Sequence, residues 1–387
     1  QPCLYELSAA YQKLLLEYGW WANRTDVNKD GMFDGGFLGL DNIAIFDRSR
    51  RLNDGSRIQQ PDGTSWMAMY SLNMLELAVE IGKKHKGYSD SIGRFIKDFW
   101  KLTYSLNAND GRNYVCWDEQ DGFYYDVLDR VDGSADYLRT RSLAGLIPLL
   151  AVASFDRSTV NQFPMLDIQP ILQQRAIDRG EPFPELDYLG EWHNDRILYA
   201  LVPKSRLIRI LERVFDEAEF LSPYGIRGLS KHYENNPYTY REGDEEGSIS
   251  YSPADSPVPM FGGNSNWRGP VWMPINYLII EALQKYAHYY GDDLKMEFPT
   301  GSGNLMNLWE ISLELEERLI NIFRCNETGS RPFNGSIDYF NQDQHWKDLI
   351  RFNEYFHGDN GSGLGASHQT GWTAIVSKMI NQLNRYR

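Results

Sequence analysis

The chain has 387 residues, a formal net charge of −14 and a sequence pI near 5.0. Hydrophobic residues make up 42%, enough for a sizeable core and too many for a disordered chain. The acidic balance, with no basic stripe, argues against nucleic acid and anionic membranes as partners. Aromatic residues make up 14%, with 11 Trp and 24 Tyr. Aromatic rings stack on the apolar faces of sugars, so the count points to carbohydrate; a Trp-rich helical core is the alternative.

In chain order, Leu4, Leu7, Tyr11, Leu14, Leu15 and Tyr18 recur at helical spacing and predict a helix over 4–22. The chain starts at Gln1 directly in helical sequence and is expected to be a fragment of a longer protein. No stretch reads as a signal peptide or a membrane span. Cys3, Cys116 and Cys325 are odd in number and far apart. They read as free thiols of a reducing compartment, which predicts a cytoplasmic protein. Asp26, Asn28 and Asp30, followed by Gly31, resemble the first half of a calcium loop. Phe37 stands where the twelfth-position Glu of an EF-hand belongs, so the readings are a structural calcium completed from elsewhere or a polar turn. No other cofactor is expected.

Gly35-Gly36-Phe37-Leu38-Gly39-Leu40-Asp41-Asn42 follows. Glycine allows tight turns and close ligand approach. An Asp among apolar neighbours is poorly solvated, and desolvation raises a carboxyl pKa toward the range of a general acid. Asp41 is therefore either that acid or an Asx-turn residue that satisfies its own backbone.

Helices are predicted over 65–83 and 89–106. Cys116–Asp126 combines carboxylates with four aromatics, which fits a sugar site or an acidic turn leading into a half-buried hairpin, and its latter half alternates like a short strand or an extended loop. Further helices are predicted over 140–153, 164–176, 203–220, 274–290, 304–323, 343–352 and 370–385. Residues 233–265 form the longest irregular run, a length usually functional or mobile. No βαβ alternation, P-loop or dinucleotide fingerprint is present. The pattern predicts one all-α domain over 1–387, with functional loops gathered at one end of the helices.

Four motifs carry a resemblance in their order: Gly36–Asn42, Trp117–Asp126, Asn266-Trp267-Arg268-Gly269-Pro270-Val271-Trp272, and the Gly-rich run before Trp372. The chain resembles glycoside hydrolase family 63, which includes processing α-glucosidase I and bacterial glucosylglycerate and mannosylglycerate hydrolases. The resemblance implies that the chain is the C-terminal catalytic part of a longer protein, with a domain of the same chain upstream. It implies an (α/α)6 toroid, incomplete at its N-terminus if the chain starts inside it. It also implies inverting hydrolysis of an α-glycoside, an α-glucoside of a small aglycone or a short oligosaccharide. Such enzymes place an acid and a base about 6.5–9.5 Å apart, leaving room for water.

The resemblance makes Asp41 the general acid. The base position departs from the family, whose Thr-Gly-Glu-Gly run is matched by Asn360-Gly361-Ser362-Gly363. Ser362 cannot serve as base without a base of its own. Asp359, three residues earlier, is the preferred replacement, with Glu119 or Asp118 as alternatives. Otherwise the attacking group is already an anion, which makes the enzyme an inverting phosphorylase with His368, His357 or Arg268 on phosphate. A non-catalytic carbohydrate-binding module is the third reading.

Phe37, Asn42, Asp118, Glu119 and His368 are the polar and rim candidates for substrate binding. Trp66, Trp117, Trp267 and Trp272 are the candidates for a stacking wall. Arg268 is expected to pair with a substrate carboxylate or with Asp118. His85 and His232 read as surface residues, and no His/Cys cluster has zinc spacing.

Overall fold

Apolar residues at helical spacing set the long elements. The computed structural model describes residues 4–24, 31–33, 39–40, 42–108, 112, 114–170, 174, 188–258, 260 and 265–386. Seven helices of eleven residues or more lie among them: α1 Leu4–Arg24, α2 Pro61–Gly82, α3 Ser89–Asn107, α4 Lys204–Val214, α5 Met273–Tyr290, α6 Leu308–Asn321 and α7 Val376–Tyr386. Helix α2 opens with Pro61, whose fixed φ suits a first helical turn. Helix α3 buries Ile92, Phe95, Ile96, Phe99, Leu102 and Leu106, one stripe at three- and four-residue steps. Asn307 and Glu310 cap α6 reciprocally. Helix α2 packs on α1 and α3, and α6 packs on α5 and α7. One apolar core runs from Tyr11 to Leu383.

Between the helices the backbone pairs into strands. About 46% of the residues are helical and about 16% lie in several small sheets. The fold is therefore mixed α/β, which corrects the expected all-α (α/α)6 toroid. Residues 140–153, expected as a helix, form two 3₁₀ turns, Leu143–Gly145 and Ile147–Leu150. Pro148 interrupts any regular helix there. The strand Val152–Asp156 then pairs antiparallel with Arg196–Ala200. The run expected to be irregular contains the hairpin Tyr238–Glu242 with Glu245–Ile249. Its Tyr-Thr-Tyr alternation suits a pleated surface. Residues 343–352 form turns instead of a helix, and most of that stretch is exposed; a short helix with no apolar face to bury does not hold in water.

Two small apolar clusters lie outside the main core. Ile45, Phe46, Leu52, Ile58, Leu128 and Leu138 form one. Leu229, Tyr233, Ile249 and Tyr251 form the other. Cys116 is a buried free thiol that burial pushes up to about 12, and Cys325 is free and exposed. Among the described residues, no helix is long and apolar enough to cross a membrane.

Candidate active site

The segment beginning at Asn42 is tied to the Asn266–Trp272 motif. Asn42 Nδ2 donates to Ser256 Oγ at 2.7 Å and to Asn266 Oδ1 at 2.9 Å. The Trp267 N–H donates to Asn42 Oδ1 at 2.9 Å. Arg268 donates to three backbone carbonyls: Nε to Asn42 at 2.5 Å, Nη1 to Ser248 at 3.1 Å and Nη2 to Ala44 at 3.1 Å. Burial brings the Arg268 guanidinium down to about 10 because no carboxylate among the described residues offsets its desolvation. The expected pairing with Asp118 does not form; Asp118 accepts from Arg139 Nε at 2.7 Å. Asn42 and Arg268 thus hold two loops together.

The tryptophans follow the same pattern. Trp267 and Trp272 stack on each other, 3.7 Å apart and 5° from parallel. Trp272 also stacks on Tyr355 at 4.6 Å. Trp117 is buried, lies beneath the guanidinium of Arg206 at 4.9 Å and donates its indole N–H to Glu119 at 2.6 Å. Trp66 is half-buried on α2. Trp117, Trp267 and Trp272 lie in the buried apolar core, and Trp66 packs against it. His368 is exposed beside Phe352, and the Glu119 side chain is 79% exposed.

Asp359 is different. Its Oδ1 accepts from Arg227 Nη2 at 3.0 Å, Lys231 Nζ at 3.1 Å and the Tyr251 hydroxyl at 3.0 Å. No described residue donates to Oδ2. Burial opposes ionisation, but the hydrogen bonds from Lys231 and Arg227 outweigh it and hold the carboxyl below its usual range. Its own N–H donates to His357 Nδ1 at 3.1 Å, and burial lowers the pKa of that imidazole, favouring the neutral ring. The turn packs closely against the Asn266–Trp272 motif. A Cβ on Gly358 would lie 2.5 Å from the Gly269 carbonyl oxygen, so only glycine fits. Ser362 is turned onto Asn360 Oδ1 at 2.6 Å.

A charged network joins this turn to the hairpin Trp117–Asp118 with Phe123–Tyr124. Arg141 bridges Asp121 at 2.9 Å and Glu219 at 2.8 Å. Arg213 bridges the same two carboxylates at 2.9 Å each. Ser230, next to Lys231, donates to Glu219 at 2.6 Å.

Asp41, Phe37 and the calcium candidates Asp26, Asn28 and Asp30 lie outside the described residues. Among the described residues, no three His, Cys, Asp or Glu side chains gather as a metal site. Sequence reasoning passed over Arg227, Lys231 and Tyr251. Lys231 and Tyr251 stand 128 and 108 residues from Asp359, so no local pattern announces them.

Residues 195–307 match the family model described as the glycosyl hydrolase family 63 C-terminal domain. The resemblance is to glycoside hydrolase family 63. The chain is 42% identical over 394 residues to the uncharacterized protein YMR196W of Saccharomyces cerevisiae; the match covers 97% of this chain and 36% of that protein. It is 26% identical over 190 residues to the mannosyl-oligosaccharide glucosidase of the same yeast, covering 48% of this chain and 16% of that one. The chain thus spans little more than a third of the first relative's length. A crystal structure of an uncharacterized conserved protein from Thermus thermophilus superposes with a TM-score of 0.51 at 12% identity, covering 98% of this chain and 71% of that one; that likeness concerns the fold alone. The family 63 segment contains Arg227, Lys231, Tyr251 and the Asn266–Trp272 motif, and ends before Asp359.

Proposed function

We propose that this chain is the catalytic part of an inverting α-glycosidase, with an α-glucoside as substrate, Asp359 as general base and Asp41 as general acid. The observation that carries the reading is the Asp359 carboxylate: Oδ1 held by three donors, Oδ2 left without one among the described residues. A carboxylate held this way stays ionised at neutral pH and offers one oxygen to a water. Its depressed pKa makes it a weak base, which suits attack on an oxocarbenium-like centre that needs little push. The family 63 match and the yeast glucosidase support the reaction class. Of the three residues named for a phosphorylase, Arg268 is engaged by three carbonyls and His368 is exposed, which leaves that reading to His357, the acceptor of the Asp359 N–H.

Incubating the chain with α-linked glucosides and following the first-formed sugar by proton NMR tests the reading. The β-anomer should appear first, at a rate indifferent to added phosphate. An α-anomer product, or a rate that requires phosphate, would overturn it.

A further inference from the structure

Asp359 sits in a hairpin loop whose backbone hydrogen bonds can be followed one by one. Tyr355–Phe356 pairs antiparallel with Gly363–Leu364. Phe356 also exchanges backbone hydrogen bonds with Val271, at 2.8 and 3.0 Å. Between the strands, the N–H of His357 donates to the Ser362 carbonyl at 2.8 Å, that of Gly358 to the Pro253 carbonyl at 3.0 Å and that of Gly361 to the His357 carbonyl at 3.1 Å. The Ser362 N–H donates to Asn360 Oδ1 at 2.9 Å. The Asp359 N–H differs from these: its acceptor is a ring nitrogen, His357 Nδ1, at 3.1 Å. A ring nitrogen accepts a hydrogen bond only when it carries no proton, so the imidazole is neutral with its proton on Nε2. Burial disfavours a second proton on the ring; of the charges acting on it, Asp359 opposes this and Lys231 adds to it. The backbone N–H and carbonyl of His357 are both bonded across the loop, which fixes the frame from which the ring reaches Asp359. Gly358, wedged against the Gly269 carbonyl and the Tyr251 hydroxyl, pins the chain between them. Where the Asp359 main chain lies decides what its carboxyl meets, because Arg227, Lys231 and Tyr251 approach Oδ1 from other parts of the fold.

We infer that His357 is a positioning residue for the proposed base: its neutral imidazole holds the Asp359 main chain so that one carboxyl oxygen meets Arg227, Lys231 and Tyr251 and the other is left for water. The kinetic consequence of this inference rests on the glycosidase reading above; the effect on Asp359 itself does not. The test compares the parent chain with His357→Leu and His357→Asn. Leucine cannot accept the N–H. Asparagine accepts the N–H of the residue two places on through its side-chain oxygen, as in an Asx-turn, and should rescue the arrangement. Carbon-13 NMR of the Asp359 carboxyl reads the positioning without turnover. Its titration midpoint should rise by about half a pH unit in His357→Leu, as its donors lose their fit, and return in His357→Asn. On an α-glucoside, kcat should fall about tenfold in His357→Leu, the size of one well-placed hydrogen bond. KM should stay within about twofold, because the ring orients the base and does not hold the sugar, and His357→Asn should recover most of kcat. Nitrogen-15 NMR of the parent imidazole should show the proton on Nε2. A ring protonated at Nδ1, an unmoved Asp359 midpoint in His357→Leu, or an asparagine variant as impaired as the leucine one overturns the inference. A parent chain that turns over no α-glucoside ends the glycosidase reading, while the carboxyl titration still decides the role of His357.

Discussion

The Asn266–Trp272 knot and the Asp359 turn touch, yet they use the same kinds of residue in opposite ways. In the knot, Arg268, Asn42 and Asn266 are engaged with backbone carbonyls and each other, and Trp267 and Trp272 cover one another. In the turn, two cations and a phenol converge on one carboxylate oxygen and leave its partner oxygen unengaged. A Trp- and Arg-rich motif can therefore be scaffolding, while the proposed base, Asp359, is held by residues of two other loops. The difference is one of polar satisfaction: the donors of Arg268, Asn42 and Asn266 are filled and hold the fold, while Asp359 keeps one oxygen without a donor among the described residues.

The comparison can be broken by mutation. The largest effect is expected in the knot. Arg268→Met leaves three carbonyls without their donor and should destabilise the chain by about 3–5 kcal/mol, read as a lowered urea midpoint. A loss below about 1 kcal/mol would show that the knot is not structural.

A second carboxylate sharpens the contrast. Glu316 on α6 is fully buried, and neither of its oxygens has a hydrogen-bond partner among the described residues. Burial pushes its carboxyl up to about 7, the nearby Gln284 amide pulling the other way. A raised folded pKa means that the native state binds more protons than the unfolded one between about pH 4.5 and 7. Stability attributable to Glu316 should therefore fall as pH rises through that window, by at most about 3 kcal/mol. Glu316→Gln should remove this slope and stabilise the chain at neutral pH; an unchanged slope in pH-dependent urea unfolding would contradict the assignment.

The smallest effect tests how Asp359 is held. Lys231→Met removes one of the donors that depress its pKa. As the proposed base, which must be ionised, Asp359 should then be protonated sooner as pH falls, so the acid limb of kcat/KM moves to higher pH. Lys231→Arg should restore it, and unfolding should change by less than about 1 kcal/mol. An acid limb that stays in place would separate Lys231 from the reaction.

Much of this was legible in the sequence where a periodic pattern met a buried face. Helices α2, α3 and α5 follow their apolar stripes, and the alternation after Cys116 marks a real hairpin. The loops were less legible. Tyr238–Ile249 carries strand chemistry in a run that looks irregular by its Gly and Glu content. The apolar stretch before Phe155 supports a strand as readily as a helix, and pairing with Arg196–Ala200 decides it. Asp359 was visible as a carboxylate near the departed base position. Its partners were not, because Arg227, Lys231 and Tyr251 meet it only through the folded chain.

On the proposed reading Asp359 serves the chemistry and the Trp267–Arg268 knot serves the fold. The most direct measurement is kcat/KM of Asp359→Asn on an α-glucoside, taken with urea unfolding of the same sample. A rate loss of at least about a hundredfold in a chain that still unfolds cooperatively is the predicted result. A rate within about twofold of the parent, or a rate loss explained by unfolding, would contradict it.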